Sequence, residues 1–106
     1  MRDGIYYVVF RSNQNDIGNG TVVVRDQSVN GGDFGFTYQG TVGGNTLALH
    51  VFQHDPAAQN VFHGVNEYTI NLNIQESPNG YELEGAVSGM PNAHLVVHAK
   101  RIGDLV

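Results

Sequence analysis

Residues 67–76 alternate apolar and polar side chains with a period of two. Tyr68, Ile70, Leu72 and Ile74 share one side, while Thr69, Asn71, Asn73 and Gln75 share the other. No helix has that period, and a half-buried strand does. The pattern recurs in 80–88, where Tyr81, Leu83, Gly85 and Val87 oppose Glu82, Glu84 and Ser88. In 94–102, Leu95, Val97 and Ala99 oppose His94, His98 and Lys100. In 46–54, Leu47, Leu49 and Val51 oppose His50 and His54, with Phe52 on the histidine side.

Turn signals punctuate these runs. They are Asn13 to Gly20, Asp26-Gln27, Asn30-Gly31-Gly32-Asp33, Gly43-Gly44-Asn45, Asp55-Pro56, Ser77-Pro78-Asn79-Gly80 and Met90-Pro91-Asn92. The stretches between them are rich in Val, Ile, Thr, Tyr and Phe, which suit a pleated, half-buried surface. Strands are therefore predicted near 4–12, 19–26, 28–31, 34–41, 46–54, 67–76, 80–88 and 94–102. The third is short enough to belong to a turn. Eight short strands in succession predict an all-β antiparallel domain, either an up-and-down barrel or a compact sandwich. Closure would remove the unpaired edges. In a barrel, Leu49, Val51, Tyr68, Ile70, Leu72, Tyr81, Leu83, Leu95 and Val97 would line the interior. Eight strands leave room there for side chains or for one small ligand. Gly35, Gly85 and Ala99 would leave space if they point inward.

Two segments depart from the pattern. Ile5-Tyr6-Tyr7-Val8-Val9-Phe10 is apolar on both faces. One face goes to the core, and the other needs a cover or stands exposed. Tyr6, Val8 and Phe10 are the candidate contacts for a partner. The segment 55–66 breaks the alternation. Asp55 before Pro56 fits a helix cap with a first-turn proline, and predicts at most one or two helical turns near 56–63, ended by Gly64. Val61, Phe62 and Val65 would plug a barrel end, or Val61 and Phe62 would contact a partner.

Composition narrows the function. At 106 residues the chain suits one domain spanning 1–106, and its 14 glycines fit a fold with many tight turns. The formal charge is −5, with only five Lys plus Arg. This argues against direct binding of nucleic acid or an anionic membrane surface, and it suits a basic partner. Absence of cysteine excludes disulfides, thiolate chemistry and cysteine-based zinc sites, and permits a cytoplasmic setting. No apolar run approaches the ~20 residues of a spanning helix. The N-terminal residues enter a strand at once, so no signal peptide is expected. Asn19-Gly20-Thr21 matches a glycosylation triplet but reads as a turn entering a strand.

Chemistry-bearing motifs are scarce. His50 and His54 are four apart, as are His94 and His98. On a strand that spacing separates the rings by roughly 13 Å, too far to share an ion. A site between His50 and His98 across strands would be needed, and no carboxylate lies near the histidines in sequence to orient the rings. Glu82 and Glu84 fit a solvated outer face. Asp16, Asp26, Asp33 and Asp55 fit turns, where Asp satisfies backbone donors. Nucleophile-elbow and phosphate-loop motifs are absent, and Gly31-Gly32 and Gly43-Gly44 precede strands rather than helices. No catalytic residue, metal or cofactor is expected.

Asp3-Gly4-Ile5-Tyr6, Phe10 with Ser12-Asn13, Gly31-Gly32-Asp33, Tyr38-Gln39-Gly40, Leu49-His50-Val51, Ala99-Lys100, Ile102 and Leu105-Val106 occur in order along nearly the whole chain. In these pieces the chain resembles the GrlR family, negative regulators of a type III secretion locus in enteric pathogens. The resemblance implies an eight-stranded, lipocalin-like barrel, a homodimer, and regulation by protein contact in which a transcriptional activator is held off DNA. The family's acidic run after Tyr-Gln-Gly is replaced here by Thr41-Val42-Gly43-Gly44-Asn45-Thr46, so no activator-binding residue is carried over. Two functions follow as expectations. One is a dimeric, protein-binding regulator. The other is a carrier or sensor of an apolar small molecule or lipid, using the barrel interior.

Overall fold

Eight strands form where the alternation predicts them. The computed structural model describes residues 1–13, 16–58 and 66–106, with Asp16, Ile17 and Pro91 by backbone alone. The strands are β1 (Gly4–Ser12), β2 (Asp16–Arg25), β3 (Ser28–Gly32), β4 (Phe36–Gly43), β5 (Thr46–Gln53), β6 (Glu67–Ser77), β7 (Gly80–Val87) and β8 (Met90–Gly103). Each pairs antiparallel with the next, and β8 returns to β1, so the sheet closes into an up-and-down barrel. Of the two architectures, the barrel is the one formed.

Register makes the alternation count. Val8 stands opposite Ala99, Leu49 opposite Ile70, and Leu83 opposite Val97, so apolar positions of neighbouring strands meet on the same face. That face is the interior. Tyr6, Val24, Ile70, Leu72 and Leu95 are its most deeply buried large side chains. No buried polar or charged residue occurs among those described. A slip of one residue in any ladder would send a whole strand's apolar set to water.

The turns differ in detail from those expected. Asp26 and Gln27 both take positive φ, 50° and 65°, the two left-handed residues of a type I′ hairpin. Side chains hold that turn in place. Asp3 Oδ1 accepts the Asp26 N–H at 3.0 Å, and the Gln27 amide clasps Met1, donating to its carbonyl at 2.9 Å and accepting from its amine at 2.7 Å. The last hairpin turns at Ser88-Gly89, with Gly89 at φ 79°. Met90-Pro91-Asn92, expected as a turn, is therefore the start of β8. The glycine one position earlier supplies the left-handed conformation that the turn needs. β2 likewise begins at Asp16 rather than 19.

From Asp55 to Ala58, the described start of the segment expected to be helical, the chain makes a turn. Asp55 Oδ1 accepts the Ala57 N–H at 2.9 Å, and its carbonyl accepts the Ala58 N–H at 3.0 Å. The aspartate caps two donors locally, and no helix occurs among the described residues. Val61, Phe62, Gly64 and Val65 lie outside the described residues.

Candidate functional site

The interior is filled. Leu49, Val51, Ile70, Leu72, Leu83, Leu95 and Val97 point inward and are buried, while Tyr68 and Tyr81 pack against them half-buried. Together with Tyr6, Phe10, Phe36 and Tyr38 they occupy the barrel. The rings of Phe10 and Tyr38 pack 5.0 Å apart, and those of Tyr6 and Tyr81 6.0 Å apart. Among the described residues, a void of about 20 Å³ lies in this core, bordered only by apolar side chains such as Leu47, Leu72 and Val97. A void of that size holds about one water, and ligand pockets run to hundreds of Å³.

Of the small residues expected to leave space, Ala99 points inward and borders that void, whereas Gly35 and Gly85 open none. A methyl group on Gly85 would stand 1.8 Å from the Asn71 carbonyl oxygen, and one on Gly35 2.3 Å from Ala58 Cβ. Gly85 lets the β6 backbone approach, as a narrow, strongly coiled sheet requires, and Gly35 makes room for the Ala58 side chain.

The first strand reverses the expected faces. Tyr6, Val8 and Phe10 point into the barrel and are buried, so they cannot meet a partner. Both faces of the strand are apolar, so alternation alone does not choose between them. Pairing chooses, because Tyr6 lies opposite Val22 and Val8 opposite Ala99, both inward. The outward set is Ile5, Tyr7 and Val9. Tyr7 is 40% exposed, and Ile102 on β8 is 55% exposed. Val23 of β2 stands opposite Ile5. Lys100 and Thr21 flank Tyr7 in register. The outer surface of β1 and its two neighbours is thus an apolar strip with a polar margin.

Two histidines find carboxylate partners that their sequence neighbourhood did not offer. His50 Nε2 lies 2.8 Å from Glu67 across the β5–β6 ladder, and His94 Nε2 lies 3.0 Å from Glu84 across β7–β8. Each ring thus does have a carboxylate beside it, supplied by strand pairing. Among the described residues no group of three His, Cys, Asp or Glu side chains converges to hold a metal. Glu82 and Glu84 lie on the outer face, as expected.

At the end of the barrel that carries the β3–β4 turn, Asp33 organises the chain. Its Oδ1 accepts the Gly35 and Phe36 N–H groups at 2.9 and 2.8 Å, and its Oδ2 accepts the Tyr38 hydroxyl. Burial, and then the hydrogen bond to this carboxylate, push the Tyr38 phenol well above its ordinary value. His54 reaches across to the Asp33 carbonyl at 2.9 Å. At the opposite end, Tyr6 donates to the Arg2 carbonyl at 2.6 Å, and the Arg2 N–H donates to the Tyr81 hydroxyl at 3.0 Å. Burial, followed by Tyr81, raises the Tyr6 phenol, with Arg101 and Arg2 pulling the other way.

No catalytic pairing emerges from these contacts. The tyrosines are tied to backbone or to a turn carboxylate, and the His–Glu pairs lie on open sheet faces. No protein-family model matches the chain, and no curated protein matches it.

Proposed function

We propose that this barrel is a non-enzymatic regulatory protein that works by contact with other proteins through its outer surface, beginning with a second copy of itself. The filled interior carries the reading. Among the described residues the core void has room for about one water, which offers little to a carrier, so recognition falls to the outside. The outside offers an apolar strip centred on Tyr7, and a closed sheet needs no such strip for its own stability. The GrlR-like pieces along the chain support the same direction. They add a transcriptional activator as the regulated partner, and a net charge of −5 complements a basic DNA-binding protein.

Mass measured without denaturation tests the self-contact. The expected species is a dimer that Tyr7→Glu converts to a folded monomer, and a wild-type monomer at micromolar concentration would refute it. Transcription in the host tests the regulatory part. Deleting the gene should raise a defined set of transcripts, and an unchanged transcript profile would refute regulation.

A further inference from the structure

Three of the five Lys and Arg residues in this acidic chain, Arg2, Lys100 and Arg101, border a single cleft of about 430 Å³. It lies at the barrel end closed by Tyr6 and Tyr81, against the turn from Ser77 to Gly80. The volume falls within the ~300–1,000 Å³ of small-molecule sites. Arg101 is held in place. Its Nε and Nη2 donate to the Asp3 carbonyl at 3.1 and 2.9 Å, and its Nη2 pairs with Asp104 at 2.7 Å. Arg2 and Lys100 are not so engaged. Neither side chain makes a hydrogen bond or ion pair among the described residues. Glu76 is the one carboxylate bordering the cleft among the described residues.

We infer that this cleft binds a small, hydroxylated phosphate monoester between the Arg2 guanidinium and the Lys100 ammonium. A phosphate dianion matches two unpaired cations, one a planar fork and the other a point charge. Hydroxyl groups on the ligand find an acceptor in Glu76 and partners in the polar turn. Tyr6, Tyr81 and Pro78 give the cleft an apolar side against which the carbon skeleton of such a ligand can lie. A nucleic-acid strand would leave the cleft and meet a net negative surface. The cleft shares Lys100 with the margin of the Tyr7 strip, and Tyr7→Glu, which keeps Lys100 and Arg2, separates the two readings: it should abolish self-contact and leave phosphate-ester binding intact.

The test is a titration of the full chain with glucose 6-phosphate at fixed ionic strength, followed by amide resonances. Glucose and sodium chloride serve as comparisons. Saturable shifts are expected at Asn79, Gly80, Lys100 and Arg101 with the phosphate ester alone. The double variant R2Q/K100Q should weaken binding by about tenfold or more while its melting temperature stays unchanged. The variant R11Q/R25Q removes equal charge away from the cleft and should bind as the wild type does. Shifts that never saturate, equal shifts with glucose, or equal weakening in both double variants would overturn the site.

Discussion

Leu72→Ala probes the claim that the barrel is solid. Leu72 is 2% exposed, inward on β6, and stands opposite Gly85 of β7. Three carbons leave the core, a transfer loss of roughly 2.4 kcal/mol at about 0.8 per methylene. The truncation removes about 80 Å³ of side chain, and if about half stays open the cavity adds about 1 kcal/mol at ~24 cal/mol per Å³. Collapse is limited, since Leu72 sits between two closed ladders and already borders the 20 Å³ void. The expected loss is therefore about 3–4 kcal/mol, inside the range for buried leucines. Urea denaturation should show the midpoint falling by about 2 M with an unchanged slope. The melting temperature should drop by roughly 15–25 °C. Asn71→Ala, one position away on the outer face, should move stability by less than about 0.5 kcal/mol. A loss below about 1 kcal/mol for Leu72→Ala, or equal losses for the two variants, would mean that the faces are inverted.

Four further outcomes follow from the same geometry. Gly85→Ala should abolish or strongly lower cooperative melting, because its methyl meets the Asn71 oxygen, whereas Gly43→Ala, with nothing within 4 Å, should melt as the wild type does. Alkaline pH should destabilise the barrel from about pH 10 upward. There the unfolded chain releases the Tyr38 proton while the native state keeps it, so stability falls by up to about 1.4 kcal/mol per pH unit, and Tyr38→Phe should flatten that limb in melting-versus-pH curves. Glu67→Gln and Glu84→Gln should each change stability by less than about 1 kcal/mol, since their pairs with His50 and His94 are solvent-exposed. Dialysis against EDTA should leave the melting temperature unmoved.

How far the chain discloses its own fold depends on how far the information is local. In 67–76 and 80–88 every second residue is apolar, and Ile70, Leu72, Leu83 and Val87 lie inward as the alternation requires. In β1 both alternations are apolar. The choice between Tyr6 and Tyr7 is made by β2 and β8, which no local pattern contains. The His50–Glu67 and His94–Glu84 pairs were hidden for the same reason, since each is created by register between strands. Arg2 and Lys100 lie at opposite ends of the sequence, and only closure brings them to one cleft. The filling of the interior was illegible as well. It depends on the size of the ring of strands and on glycines such as Gly31 and Gly85, where adjoining backbone presses close.

The seam between β1 and β8 has a consequence for how the chain reaches its native state. Every other ladder joins strands adjacent in sequence, so hairpins can zip up early and cheaply in entropy. The seam alone must bring Tyr6 against Arg101, and it does so across nearly the full chain. Until it shuts, a β1 edge carrying Tyr, Val and Phe and a β8 edge carrying Leu, Val and Ala offer unpaired amides to any neighbouring molecule. Crowded refolding should therefore produce strand-exchanged oligomers in proportion to concentration, and dilute refolding should produce the ring.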